Sequence, residues 1–145
     1  MLEVKCSDDY SVIKNLFTEY SQIKGAEGCF VSFDKELADL AGFYKDGAIL
    51  VGYEGGEAVG CVAIKKIDAK TCEGKRLFIR PEYRGKGYAR IFLNSMIEQA
   101  RILGYELLTF TTRPDVMKTA YELYKRMDFE ETGNDNGVVS MEMSL

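Results

Sequence analysis

Histidine is absent from all 145 residues. This removes the Ser-His and Cys-His pairs that activate many side-chain nucleophiles, and leaves carboxylate, tyrosine, cysteine, lysine or water to move protons. The cysteines do not replace it with a metal site: Cys6, Cys29, Cys61 and Cys72 lie far apart and form no Cys-x-x-Cys pair, so no metal is expected. They read as reduced thiols packed as small hydrophobic groups. An excess of basic charge is also missing. With 19 Lys and Arg against 23 Asp and Glu, the net charge is −4 and the pI near 5.0, which leaves no general field for nucleic acid or an anionic membrane. No stretch approaches the ~18 apolar residues of a spanning helix, and Met1 to Lys5 begin no cationic-then-apolar leader. The expectation is a cytoplasmic protein with neither nucleic acid nor membrane as partner. Repeats and low-complexity linkers are lacking too, and the length suits one domain, 1–145, able to bury a core without disulfides.

What is present is a regular alternation of turn signals and apolar segments. Ser7-Asp8-Asp9 predicts a helix cap, followed by apolar residues at helical spacing: Val12, Ile13, Leu16, Phe17, Tyr20 and Ile23. Gly25 to Gly28 predicts a break, Asp34 to Leu40 a shorter helix, and Gly42 to Gly47 a loop, an irregular segment suited to shaping a substrate mouth. Ile49 to Tyr53, Ala58 to Ile64 and Cys72 to Arg80 are strand-like runs joined by short turns, which predicts an antiparallel meander. A helix from about Gly87 to Leu103 follows, apolar at Tyr88, Ile91, Phe92, Ser95, Met96 and Gln99 or Ala100, and closed by Gly104. After it come a strand at Glu106 to Thr111, a helix opened by Pro114-Asp115 and running through Met127, and two terminal strands around a loop at Gly133 to Gly137.

The stretch Arg84-Gly85-Lys86-Gly87-Tyr88-Ala89 joins a strand to the long helix. A glycine-rich turn entering a helix presents unpaired N–H groups and a positive dipole end, which together hold phosphate. A dinucleotide fingerprint is disfavoured because Arg90 stands where a small third residue is required and the preceding elements are a meander. A P-loop is excluded because Gly85-Lys86 is followed by Gly87 and not by Ser or Thr.

The spacing Arg-x-x-Gly-x-Ala, the preceding run from Cys72 to Gly87, and Ala120-Tyr121-Glu122-Leu123-Tyr124 with Phe129 together resemble the GNAT superfamily of acyl-CoA-dependent N-acetyltransferases, in particular its small bacterial-type members. The resemblance covers about residues 47 to 132. It implies an α/β (α+β) GNAT fold, a mixed, mostly antiparallel twisted sheet of about six to seven strands with about four helices, splayed to admit acyl-CoA. Edge-to-edge homodimers are common among such proteins.

By that resemblance, acetyl-CoA is the donor. Backbone groups of Leu77, Phe78 and Ile79 would meet its pantetheine arm and thioester oxygen, and Arg84, Gly85, Lys86, Gly87, Tyr88 and Ala89 its pyrophosphate. Glu73 would be the base, directly or through water, and Tyr124 the acid toward the departing thiolate; Tyr121 shares the helix face and is the second tyrosine to weigh. Cys61 and Cys72 have nothing in the sequence to activate them as nucleophiles. Three departures stand out. Asp128 replaces the glycine usual before the phenylalanine, Thr109 to Arg113 lacks an acidic residue, and the loop at Asn134 lacks proline. The expected activity is acetylation of a primary amine on a small molecule, amino acid or peptide, by direct attack in a ternary complex. The alternatives are a non-catalytic acyl-CoA-binding sensor or protein-interaction module, and an enzyme acting on protein lysines.

Overall fold

In a computed structural model, which describes residues 1–23, 32–115 and 117–145, the meander expected from the strand runs is the centre of a seven-stranded sheet. Its strands are β2 (Ala48–Glu54), β3 (Glu57–Lys66) and β4 (Thr71–Ile79), each antiparallel to the next. Turn chemistry fixes their register. Gly55 and Gly56 take φ values of 58° and 84°, the left-handed pair a tight hairpin needs. At the next turn the Asp68 carboxylate accepts the N–H groups of Lys70 and Thr71, both at 2.9 Å.

On one side of the meander, β1 (Glu3–Cys6) adds an antiparallel edge strand that sequence reading missed, its four residues being mostly exposed and without alternation. On the other side, β5 (Leu107–Thr112) runs parallel to β4, β7 (Val138–Ser144) is antiparallel to β5, and β6 (Glu130–Asp135) closes the order β1-β2-β3-β4-β5-β7-β6. The mixed sheet of the expected GNAT architecture is therefore present, with five α-helices among the described residues.

The sheet is covered on both faces. Helix α1 (Tyr10–Ser21), capped by the Asp9 carboxylate on the Val12 N–H, lays Ile13, Leu16, Phe17 and Tyr20 against Val51, Cys61, Ala63 and Phe78. The short helices α2 (Phe33–Ala38) and α3 (Leu40–Phe43) complete this layer, so a helical turn occupies the beginning of the expected Gly42 to Gly47 loop. The break expected at Gly25 to Gly28, and Cys29, lie outside the described residues. On the opposite face, helix α4 (Tyr88–Ile102) buries Phe92, Leu93, Met96, Ile97 and Ala100. The buried stripe is thus rotated from the expected one: Ile91 is 41% exposed, while Leu93 and Ile97 are inside. Helix α5 (Lys118–Arg126) starts later than Pro114, because Met117 keeps a non-helical backbone at φ −125°. Between α5 and β6, Asp128 adopts φ 68°, so aspartate does occupy the left-handed turn where glycine is usual. Among the described residues, no helix is long and apolar enough to cross a membrane.

Candidate active site

Strands β4 and β5 pair only at Thr71 with Leu107, Cys72 with Leu108 and Glu73 with Thr109. Beyond Glu73 they part and leave a cleft. The opening begins next to a bulge in β4: the register with β3 jumps from Ala63–Lys75 to Cys61–Phe78, so Arg76 and Leu77 share the space opposite Val62. Arg76 carries the bulge at φ 61°, a conformation that needs support from its surroundings in a non-glycine residue.

A buried ionic cluster supplies that support. The Arg76 guanidinium donates to Glu36 of α2 through Nε at 3.0 Å and Nη2 at 2.6 Å, and the Tyr44 hydroxyl donates to the same carboxylate at 2.6 Å. Glu36 is 1% and Arg76 6% exposed. Burial alone would raise the Glu36 pKa, but hydrogen bonds from Arg76 and Tyr44 and the Arg76 charge hold it below the ordinary glutamate range. Burial and the adjacent Glu36 charge push the Tyr44 phenol far up, so it stays a donor.

Past the bulge, the backbone of β4 presents an open edge. The Arg80 N–H donates to Val59 of β3 at 2.8 Å, and strand alternation then turns the groups of Phe78 toward β3 and those of Leu77 and Ile79 toward the cleft. Phe78 therefore differs from its two neighbours: its ring stacks on Tyr20 at 5.6 Å, on the α1 side, and its backbone belongs to the sheet. Arg84 Nε donates to the Ile79 carbonyl at 2.8 Å, so this side chain ties the following loop back onto the strand.

The loop after β4 has the form a phosphate needs. Gly85 and Gly87 both take φ 78°, and a Cβ built on either would meet nothing within 4 Å, so open space lies above the turn. Gly87 is the N-cap of α4 and no side chain caps the helix there, which leaves the first N–H groups of Tyr88 and Ala89 to an outside acceptor. Lys86 Nζ sits over the rings of Tyr83 and Tyr88 at 5.4 and 5.9 Å. The Tyr88 hydroxyl donates to Glu54 at the end of β2, which fixes the first turn of the helix.

Tyr124 lines the cleft from α5. Its ring is held edge-on against Phe110 at 4.2 Å and Phe129 at 6.2 Å, and its hydroxyl makes no hydrogen bond to any described residue. Burial, with a smaller contribution from Tyr20, raises its pKa well above the usual phenol value, which keeps the proton on oxygen. Tyr121 is separated from it, donating to Glu131 of β6 at 2.9 Å.

Neither meander cysteine is set up as a nucleophile. Burial raises the Cys61 thiol, whose S–H donates to the Arg76 carbonyl, and pushes Cys72 up to about 11.

An open β4 edge at Leu77 and the Tyr124 phenol border one cleft, and the glycine-rich start of α4, free of any side-chain cap, follows the same strand. The profile of the acetyltransferase (GNAT) family matches residues 12–129. The chain belongs to the GNAT family.

An uncharacterized N-acetyltransferase of Schizosaccharomyces pombe is 35% identical over 133 residues, covering 89% of this chain and 81% of that protein. The fold is shared with a GNAT acetyltransferase of Staphylococcus aureus at TM-score 0.83, 12% identity, and coverage of 100% of this chain and 99% of the other. It is shared also with an acetyltransferase of Salmonella typhimurium solved with acetyl-CoA, at TM-score 0.77, 19% identity, and coverage of 100% and 94%. Membership makes the protein an acyl-CoA-dependent acetyltransferase.

Within the GNAT frame, Glu73 occupies the last paired position before the strands part, next to Gly74, which does line the cleft. Glu73 itself does not line it, and it lies opposite Thr109, whose hydroxyl donates to the Cys72 carbonyl at 3.4 Å. Sequence reasoning pointed to the segment Thr109 to Arg113 but gave no individual role to several residues that do reach the cleft: Tyr20, Lys75, Arg76, Thr112 and Arg113. They come from three separated segments, and Glu36, which orients Arg76, lies 40 positions away from it.

Proposed function

We propose that the protein transfers an acetyl group from acetyl-CoA to a primary amine by direct attack in a ternary complex. The observation that carries this reading is that Tyr124 and the β4 edge at Leu77 border the same opening.

The uncapped start of α4, with Gly85 and Gly87, binds the pyrophosphate through backbone N–H groups. Lys86 adds charge beside it, while Arg84 acts mainly by fastening the loop to Ile79. The free amide edge of β4 aligns the pantetheine and polarises the thioester carbonyl. The amine nitrogen attacks the carbonyl carbon, the new C–N bond forms and the C–S bond breaks, and Tyr124 gives its proton to the departing sulfur. The proton lost by the nitrogen leaves through water toward Glu73 at the base of the splay, and Tyr124 regains its own from solvent.

Calorimetry with acetyl-CoA tests the cofactor side, run beside NAD and beside Gly87→Glu. Saturable binding of acetyl-CoA alone, lost in the variant, supports the reading. Normal binding with no acetylation across an amine panel would leave only an acyl-CoA-binding role.

A further inference from the structure

The polar lining of the cleft is one-sided in charge. Besides Tyr124, it consists of Tyr20, Lys75, Arg76, Thr111, Thr112 and Arg113, and no described carboxylate lines it. This contrasts with the whole chain, whose net charge is −4. The basic groups also lie apart from the phosphate loop. Lys75 and Arg76 precede the free edge at Leu77 and Ile79, whereas the loop follows it, so they flank the thioester end of the donor path. They also belong to the α1–α3 face: Arg76 reaches Glu36, and Lys75 Nζ lies 5.5 Å from the Phe43 ring centroid.

The three cations are not equivalent. Arg76 is engaged with Glu36 and Tyr44 and contributes little net charge. Lys75 makes no ion pair with any described carboxylate. Arg113 lies with its Nε 3.5 Å from an Asp115 oxygen, yet that nitrogen is buried and has no hydrogen bond. A buried guanidinium N–H without an acceptor is costly, and a ligand oxygen at this end of the cleft would satisfy it.

We infer that the acceptor is an amine that also carries a carboxylate, seated toward Lys75 and Arg113 while its amino group faces the thioester. This rests on the acetyl-transfer reading above and narrows it to amino-acid-like acceptors, as opposed to polyamines, protein lysines or peptide α-amines remote from a carboxylate. A purely cationic acceptor would enter a cleft whose described lining repels it. The same positive groups favour loss of the ammonium proton, which supplies the neutral nitrogen the attack requires.

The test is a matched acceptor series with saturating acetyl-CoA: phenylalanine, methionine and glutamate, each beside its methyl ester, with phenethylamine, spermidine and a lysine-containing peptide. The free acids should exceed their esters in kcat/KM by about tenfold or more, the scale of one charge-assisted hydrogen bond. Lys75→Met and Arg113→Gln should each compress that ratio by raising KM for the acids more than for the esters, with acetyl-CoA affinity kept. Esters, phenethylamine or spermidine acetylated as well as the acids would overturn the inference and leave acetyl transfer intact. No acetylation of any compound despite normal acetyl-CoA binding would instead overturn the transfer reading, and this inference with it.

Discussion

The two halves of the cleft are built by different rules. The half we assign to the donor is contiguous: the β4 edge at Leu77 and Ile79 and the loop through Ala89 lie within thirteen residues, and their contribution is mostly backbone. The half we assign to the acceptor is assembled from Tyr20 on α1, Lys75 and Arg76 on β4, and Thr111 to Arg113 at the end of β5, and its contribution is side chains. Backbone recognition tolerates many sequences provided glycine stands where φ is positive, so it can serve one cofactor in many relatives. Side-chain recognition is redrawn by each substitution.

The sharpest way to break this contrast is Gly87→Glu. It strains a residue at φ 78° and puts a carboxylate where phosphate should sit, and acetyl-CoA affinity should fall by about 100-fold or more in calorimetry. A small change would mean that the backbone of this turn is not the binding element.

Tyr124→Phe should lower kcat by about 10²-fold or more with acetyl-CoA affinity unchanged. Because the Tyr124 pKa is raised, its loss of a proton should not limit kcat until well above pH 10, which a pH–rate profile of the native protein checks.

Glu36→Gln probes the link between the halves. Leaving Arg76 buried without its counter-charge should cost about 3 kcal/mol in urea unfolding. The Glu36 carboxyl is held below its ordinary pKa of 4.5, so its contribution is complete above that value in the native protein and is lost as pH falls through the lower folded pKa. In the variant this part of the acid dependence should disappear.

Asp128→Gly should raise stability by about 0.5–1 kcal/mol in thermal melts, by relieving a left-handed aspartate. The smallest effect belongs to Tyr121→Phe. Its hydroxyl meets exposed Glu131, and turnover should stay within about twofold, which separates it from Tyr124.

This division also explains what could be read in advance. The meander, the loop at Gly85 and Gly87, and the tyrosine-bearing helix have local signals, since turn residues and strand runs adjoin in sequence. Edge strand β1 has no such signal, because four mostly exposed residues carry no alternation to detect. The rotation of α4 that exposes Ile91 and buries Leu93 is set by how the helix seats on the sheet, which periodicity alone does not contain. The Glu36–Arg76 pair was invisible because both residues resemble ordinary surface charges until folding brings them together. For Glu73, the position on β4 was legible, but not that it would stand at the foot of the splay and outside the cleft lining.

The buried pair has a last consequence, for inheritance and redesign. Through Glu36 and Tyr44, the segment from α2 to the end of α3 is bolted to the bulge that opens the sheet. Exchanging that segment between relatives would therefore transplant a structural fastening of the bulge. Residues 33–44 and Arg76 are best regarded as one module, to be moved together or left alone.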